Sequence, residues 1–324
     1  MKLLRVLPVL MLATIQFAPA AELYAQSGDD AVEEIEVVGE RAGPQMWKVS
    51  RDGHALWVLG TLQPLPKRMT WRSQAVEDVI AESQQVLAGG VSLDADIGPI
   101  TAFRLYRQWR RVRRIPEGKS LRDVMPPPLY ARFSALKAKY APRDRDIETL
   151  LPMIAAAILY SRAVDAVGLT SRNDIQRSVS KLAKKNDVKV RRIRIELEDP
   201  KGLLDLFGQT PLDAQLVCLE TTITRLESDV DAMKARARAW AVGDVNALRA
   251  LPYADQQAAC WSAVTSAPRF KELSDEARRS WFEAAEEALA KNPNTLALTG
   301  MDRLLGPEGA LATFRERGYT IEGP

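Results

Sequence analysis

The chain has 324 residues, 46% apolar and 27% charged, enough for a real core in one large domain or two smaller ones. Its formal charge of +3 falls to about +1 when Lys2 and Arg5 are set aside, which gives no global reason to expect a nucleic-acid partner. One histidine, His54, and two cysteines exclude any site that needs several imidazoles or a thiolate cluster.

Residues 1–20, MKLLRVLPVLMLATIQFAPA, have the layout of a secretory signal. Lys2 and Arg5 form the basic start, Leu7 to Phe17 the apolar centre, and Ala18-Pro19-Ala20 a small-residue cleavage site. An uncleaved anchor is the alternative, but the apolar run falls short of the roughly 20 residues a span needs. The expectation is cleavage near Ala20 and a periplasmic or secreted protein with no later transmembrane segment. Residues 21–45 are acidic and small-residue rich and read as a flexible leader, leaving a single domain over 46–324.

MWKVSRDGHALWVLG holds two β-rich runs around Arg51-Asp52-Gly53 and predicts a hairpin whose second strand ends at Gly60. His54 falls in its turn region and is expected to be exposed. Ser73 can cap the helix SQAVEDVIAESQ, and QVLAGGVSL follows as a short strand weakened by two glycines. The middle is helical: ITAFRLYRQWRRVRR, PPLYARFSALKAKY, the strongly apolar LPMIAAAILYSRAVDAVG stopped by Gly168, and SRNDIQRSVSKLAKKND. Alternation from Val188 to Leu197 predicts a strand. A long helix or helical hairpin over TPLDAQLVCLETTITRLESDVDAMKARARAWAVGD, then ADQQAACWSAV and DEARRSWFEAAEEALAKN, complete the helices. TLALTG and YTIEG return to strand on either side of the short amphipathic helix GPEGALATFRERG. The fold class is α+β, with a mixed central sheet built from N- and C-terminal strands around a large helical middle.

Cys218 and Cys260 are the sole cysteines, and an oxidising compartment would let them bridge; two separate buried thiols are the alternative. RLYRQWRRVRR carries Arg104, Arg107, Arg110, Arg111, Arg113 and Arg114 around Tyr106 and Trp109. Such a run can bind anionic polymers or lipid head groups, but the expectation is a wet face whose aliphatic stems cover apolar surface.

ALWVLG-TLQ and TLALTG-MDR are both apolar strands ending in glycine followed by three residues, the last polar. Glycine at a strand end lets the chain turn sharply at a sheet edge, where ligands usually sit in helix-covered sheets. The order WKV…LWVLGT…LP, PMIAAAIL…AVGLT, AWAVGDVNAL and TLALTGMDRLLGPEGALATFRERGYTIE resembles the TraB/GumN family, which is related to the Tiki proteases and lies near the EreA/ChaN-like folds. Gly300, Leu304, Gly306, Gly309, Gly318 and Tyr319 fit the frame of its terminal block.

That resemblance implies a metal-dependent hydrolase with Gly-x-x-His at both corners and an acidic residue at the end of the strand after the first helix. Here the corners read Gly60-Thr61-Leu62-Gln63 and Gly300-Met301-Asp302-Arg303, and the acidic position falls at Gly89. A water-activating cation needs several imidazole, carboxylate or thiolate ligands, and Arg303 is permanently cationic. No Gly-x-Ser-x-Gly, Walker or dinucleotide motif is present. No metal or cofactor is therefore expected, and the function class is a pseudoenzyme: an exported, non-catalytic binding or accessory protein of the cell envelope. Its candidate ligand pocket is Gly60, Thr61, Gln63, Gly300, Asp302 and Arg303, suited to a small anionic, glycan or peptide ligand. Arg303 pairing with an acidic neighbour and filling the old metal space is the plainer reading of the same residues. The competing class is a metal-dependent hydrolase or peptidase with a non-standard acidic site using Asp302, Asp94 or Asp96.

Overall fold

The computed structural model describes residues 43–172, 174–250, 256–306 and 308–324. The expected signal and almost all of the expected leader lie outside them; Gly43 and Pro44, at the leader's end, are buried.

β1 (Met46–Arg51) and β2 (His54–Thr61) form the hairpin, with Met46 opposite Leu59 and Arg51 opposite His54. Asp52 (φ 51°) and Gly53 (φ 82°) supply the two left-handed residues that a two-residue turn needs to match strand twist. The remaining strands are β3 (Leu65–Pro66), β4 (Gln85–Asp94), β5 (Leu169–Thr170), β6 (Lys189–Glu196), β7 (Asn294–Gly300) and β8 (Thr320–Glu322). Six of them form one sheet in the order β6-β4-β7-β2-β1-β8, while β3 and β5 make a separate antiparallel pair. The fold is α+β, with a mixed sheet. β7 comes from the far end of the chain and inserts between β4 and β2, parallel to both.

Burial follows position in the sheet. β2 and β7 are near-continuous apolar runs because both are covered on two faces, and all five residues from Thr295 to Thr299 are buried. β6 is an edge strand, and at its end only Ile193 and Ile195 turn inward between exposed charged residues. QVLAGGVSL is not the short strand its glycines predict. It spans ten residues and absorbs the glycines in an irregularity between Leu87 and Val91, where Gly90 takes φ 77°.

The helix Pro268–Lys291 packs on β2, β4, β6 and β7, and its Trp281 Nε1 donates to the Leu298 carbonyl at 3.2 Å. The helices Gln74–Glu82 and Asp174–Lys185 bury Val76, Ile80, Ile175, Val179 and Ala183 in the same core. Ser73 does not cap Gln74–Glu82 through its side chain; its hydroxyl donates to Glu77 instead, at 2.7 Å. A second core is purely helical. Pro127–Tyr140, Pro152–Ala166, Leu212–Ser228 and Gln256–Thr265 enclose Phe133, Leu159, Leu219 and Ile223, and Gly168 (φ 78°) follows the apolar helix. Cys218 and Cys260 are bonded, Cα atoms 4.4 Å apart, and tie Leu212–Ser228 to Gln256–Thr265. The long segment after Pro211 breaks at Asp229 into Leu212–Ser228 and Val230–Ala241. Asp229 is buried there with Arg236 at 2.6 Å and Arg225 at 3.4 Å. Among the described residues, four α-helices are not foreseen in the sequence reading: Leu121–Val124, Pro200–Gly208, Val245–Ala250 and Met301–Leu305.

Candidate functional site

Parallel pairing of β2 with β7 sets the site. Gly60 lies opposite Thr299 and Thr61 opposite Gly300, so the two glycine corners are neighbours at one sheet edge. The Thr61 hydroxyl donates to the Thr299 carbonyl at 3.1 Å, fastening the two strand ends. Beyond Thr61 the chain buries Leu62, exposes Gln63 and passes through a cis Gln63–Pro64 bond into β3. Beyond Gly300 it enters the helix Met301–Leu305, which buries Met301 and Leu304 and exposes Asp302 and Arg303. The alternation is dictated by the helix: Met301 and Leu304 are three apart and share its inner face.

That inner face closes the first corner. A Cβ on Gly60 would stand 2.6 Å from Met301 Cε, 2.8 Å from its sulfur and 3.1 Å from Leu304 Cδ2. Glycine is required at position 60 by this close approach, and the space above it is filled. The filler is Met301, not Arg303. From another side the buried Trp240 donates its indole N–H to the Gly60 carbonyl at 2.7 Å and meets Trp71 edge-on, 5.6 Å between ring centres. Trp71 in turn walls a cavity of about 320 Å³ lined also by Leu65, Met69, Ser178 and Lys181. None of the six candidate pocket residues lines that cavity, nor the one of about 380 Å³ beside Pro200–Gly208.

The second corner is open. The Asp302 carboxylate folds back against Gly300, and Arg303 is exposed with no ion-pair partner among the described residues. Gly89 sits beside β7, where a Cβ would approach the Leu298 carbonyl to 3.2 Å, so a longer side chain there would have to push the strands apart. The register therefore gathers Gly60, Thr61, Gly300 and the Gly89 segment at one edge. It does not gather the other acids: Asp94 pairs with Arg194 at 3.3 Å and Asp96 is exposed. His54 is not exposed as expected. It is half-buried at the opposite end of β2, its Nδ1 2.6 Å from the Leu289 carbonyl, and seven residues of strand put it about 23 Å from Thr61.

The donors present do not fit a divalent cation. An amide, a guanidinium, a glycine and one carboxylate leave no tetrahedral or octahedral set, and among the described residues no three His, Cys, Asp or Glu side chains cluster. Met301, Trp240 and Trp71 are the residues that sequence reasoning missed, and Leu304 was named only for its place in the frame. Trp240 and Met301 lay inside segments already singled out, AWAVGD and TLALTGMDR, but as frame rather than as packing.

The fold and site define an α+β protein in which two strand-end glycine corners abut on a parallel strand pair, one packed shut and one presenting an exposed arginine. Residues 45–323 match the model of the TraB/PrgY/gumN family, and the chain belongs to that family. No curated protein and no solved structure matches it.

Proposed function

We propose that this chain is an exported, non-catalytic member of its family, a binding or accessory protein of the cell envelope whose metal corner has been converted to packing on one side and to an anion-facing surface on the other. The carrying observation is the register that sets Thr61 opposite Gly300. It brings the two glycine corners together at the strand ends, and by the corner motif the resemblance assigns the two imidazole positions to Gln63 and Arg303. Arg303, exposed and unpaired among the described residues, presents a planar fork suited to a carboxylate or phosphate, and Gln63 adds amide donors for a glycan or peptide. The Cys218–Cys260 bridge favours a periplasmic or secreted location, since such bonds persist in oxidising compartments.

The test is metal content together with hydrolysis. Protein purified without chelator is expected to carry zinc and manganese at buffer-blank levels and to leave peptides intact. Stoichiometric metal, or peptide cleavage that a chelator stops, overturns the reading. Export is checked on the same material by mass spectrometry, which should find a chain beginning at Ala21. An intact Met1 from cells competent for secretion removes the envelope part of the proposal.

A further inference from the structure

The helix Pro99–Val112 wears its side chains the wrong way round for a helix that covers a core. Its one buried residue is a glutamine: Gln108 Nε2 donates to the Lys201 carbonyl at 3.0 Å and to Asp205 Oδ1 at 2.6 Å. Trp109 lies 5.6 Å from Phe207, and Gly208 comes against Val112. These contacts with the helix Pro200–Gly208 fix the inner face, one-hundred-degree steps place Phe103 opposite it, and Ile100 and Tyr106 flank Phe103. Those three side chains are 68%, 60% and 57% exposed in chain order, Ile100, Phe103, Tyr106. Leu93 (50%) and Ile97 (38%), on the chain leading into the helix, are exposed too. The arginine run is a wet face, as expected, but apolar Ile100, Phe103 and Tyr106 share that exposed face.

The charge on that outward face has one sign. Arg104, Arg107, Arg110 and Arg111 are all exposed, and none has an ion-pair partner among the described residues. From Ile97 to Pro116 the sequence contains no Asp or Glu. Asp94, upstream, is held by Arg194, and Asp96 is the one acid left on the approach. Ile100 and Phe103 stand in the first turns and the arginines behind them, so apolar groups lead and cations follow.

We propose that Ile97 to Arg111 forms a tip that docks on an anionic lipid surface, with Ile100, Phe103 and Tyr106 entering the headgroup boundary and the four arginines resting on lipid phosphates. Charge complementarity selects this occupant. An uninterrupted cationic face with aromatic and aliphatic residues at one end matches a sheet of phosphates over hydrocarbon. A second copy of the chain would set arginine against arginine. The inference stands apart from the glycine corners, so failure of either leaves the other intact.

The experiment is co-sedimentation of the full chain with vesicles of phosphatidylcholine alone or of phosphatidylcholine with one-third phosphatidylglycerol. Residues 1–20 are identical in every variant. Hydrogen exchange over residues 93–112, with and without vesicles, reads the docking at its own place. Expected are binding to the anionic vesicles that weakens with salt, and slowed exchange in that segment. Each arginine near the surface is worth about fivefold in partitioning, so Arg107→Glu with Arg110→Glu should reduce binding by more than tenfold. Phe103→Asp should do the same, and replacing all four arginines by lysine should preserve binding. No binding to anionic vesicles, unchanged exchange over 93–112, or binding indifferent to these substitutions overturns the proposal. So does concentration-dependent dimerisation that Phe103→Asp abolishes without any vesicle binding, which would assign the face to a second copy. Because the wild-type exchange measurement needs no variant, misfolding of a variant leaves the test decisive.

Discussion

Replacing Gly60 by alanine tests whether Met301 fills the first corner. The added methyl would lie 2.6 Å and 2.8 Å from Met301 Cε and Sδ, where carbon contacts settle at about 3.5–4.0 Å. Met301 therefore has to retreat by about 1 Å. It has no slack, being 3% exposed with Leu304 at 0% beside it. Overpacking of this kind costs about 1–3 kcal/mol, somewhat offset because alanine has less unfolded-state freedom to lose. Met301→Ala alone should cost about 2–5 kcal/mol through the cavity it leaves. If the two atoms compete for one space, the double variant Gly60→Ala/Met301→Ala must be more stable than the sum of the singles predicts, by about 1–3 kcal/mol. Urea unfolding followed by far-UV circular dichroism gives all three values, provided the denaturant slopes stay equal. Gly300→Ala is the internal control. There a new Cβ meets only the exposed Asp302 carboxylate, which can swing into solvent, so the change should stay within about 0.5 kcal/mol. A harmless Gly60→Ala, or a cycle in which the two costs simply add, would mean that Met301 does not occupy the corner.

Asp229 is buried between two guanidinium groups, and Asp229→Ala would remove the carboxylate that both face; a loss of up to about 3–5 kcal/mol in urea unfolding is expected, and a loss under 1 kcal/mol would contradict it. Glu287 bonds Lys291 at 2.7 Å and Arg191 of β6 at 2.7 Å, and these two cations, Lys291 foremost, bring its carboxyl from 4.5 down to about 2. A carboxyl lowered by folding stabilises the native state fully above 4.5, and the contribution disappears as pH falls toward 2. Glu287→Gln should therefore unfold more easily than wild type at neutral pH, with the gap closing between those values and shrinking in high salt. A gap that persists at pH 2 contradicts this assignment. The Cys218–Cys260 bridge closes a loop with a sequence separation of 42, which the chain-entropy account values at about 4 kcal/mol. Cys218→Ser/Cys260→Ser should lower the urea midpoint accordingly, and an unmoved midpoint would show the bridge to be inert.

Where the chain carried a pattern with a physical cause, the fold was legible. The Asp52-Gly53 turn needs two left-handed residues and has the pair that tolerates them. ALWVLG and TLALTG carry no charge and are almost wholly buried because both are interior strands covered on two faces, and their likeness in sequence goes with their adjacency in the sheet. The legibility failed where structure is set by a distant partner. QVLAGGVSL has too few side chains to look like a long strand, and ladders with β6 and β7 hold it as one. Met301–Leu305 is one turn of helix, shorter than any periodicity can reveal. Ile100, Phe103 and Tyr106 recur three apart in the sequence, but whether such a stripe faces core or solvent depends on what packs opposite. That neighbour, Pro200–Gly208, begins nearly a hundred residues later and takes Gln108 instead.

The same dependence explains the division of the candidate site. Gln63 and Arg303 were readable as corner residues because the glycine frame around them carries the family resemblance. Their consequence was not, because it runs through residues that carry no catalytic chemistry. The volume above Gly60 is bounded by Met301 and Leu304. A thioether with three rotatable bonds adapts to it well, and Met301 lies one residue past the neighbouring strand's end. Trp240 then seals the carbonyl side of the same glycine, connecting the sheet edge through Trp71 to the segment behind β3. A corner built this way is held by packing and one indole hydrogen bond. Arg303, exposed on the outward side of a one-turn helix whose inward side supplies that packing, has no ion-pair partner among the described residues, which leaves it available to a ligand under the proposed function.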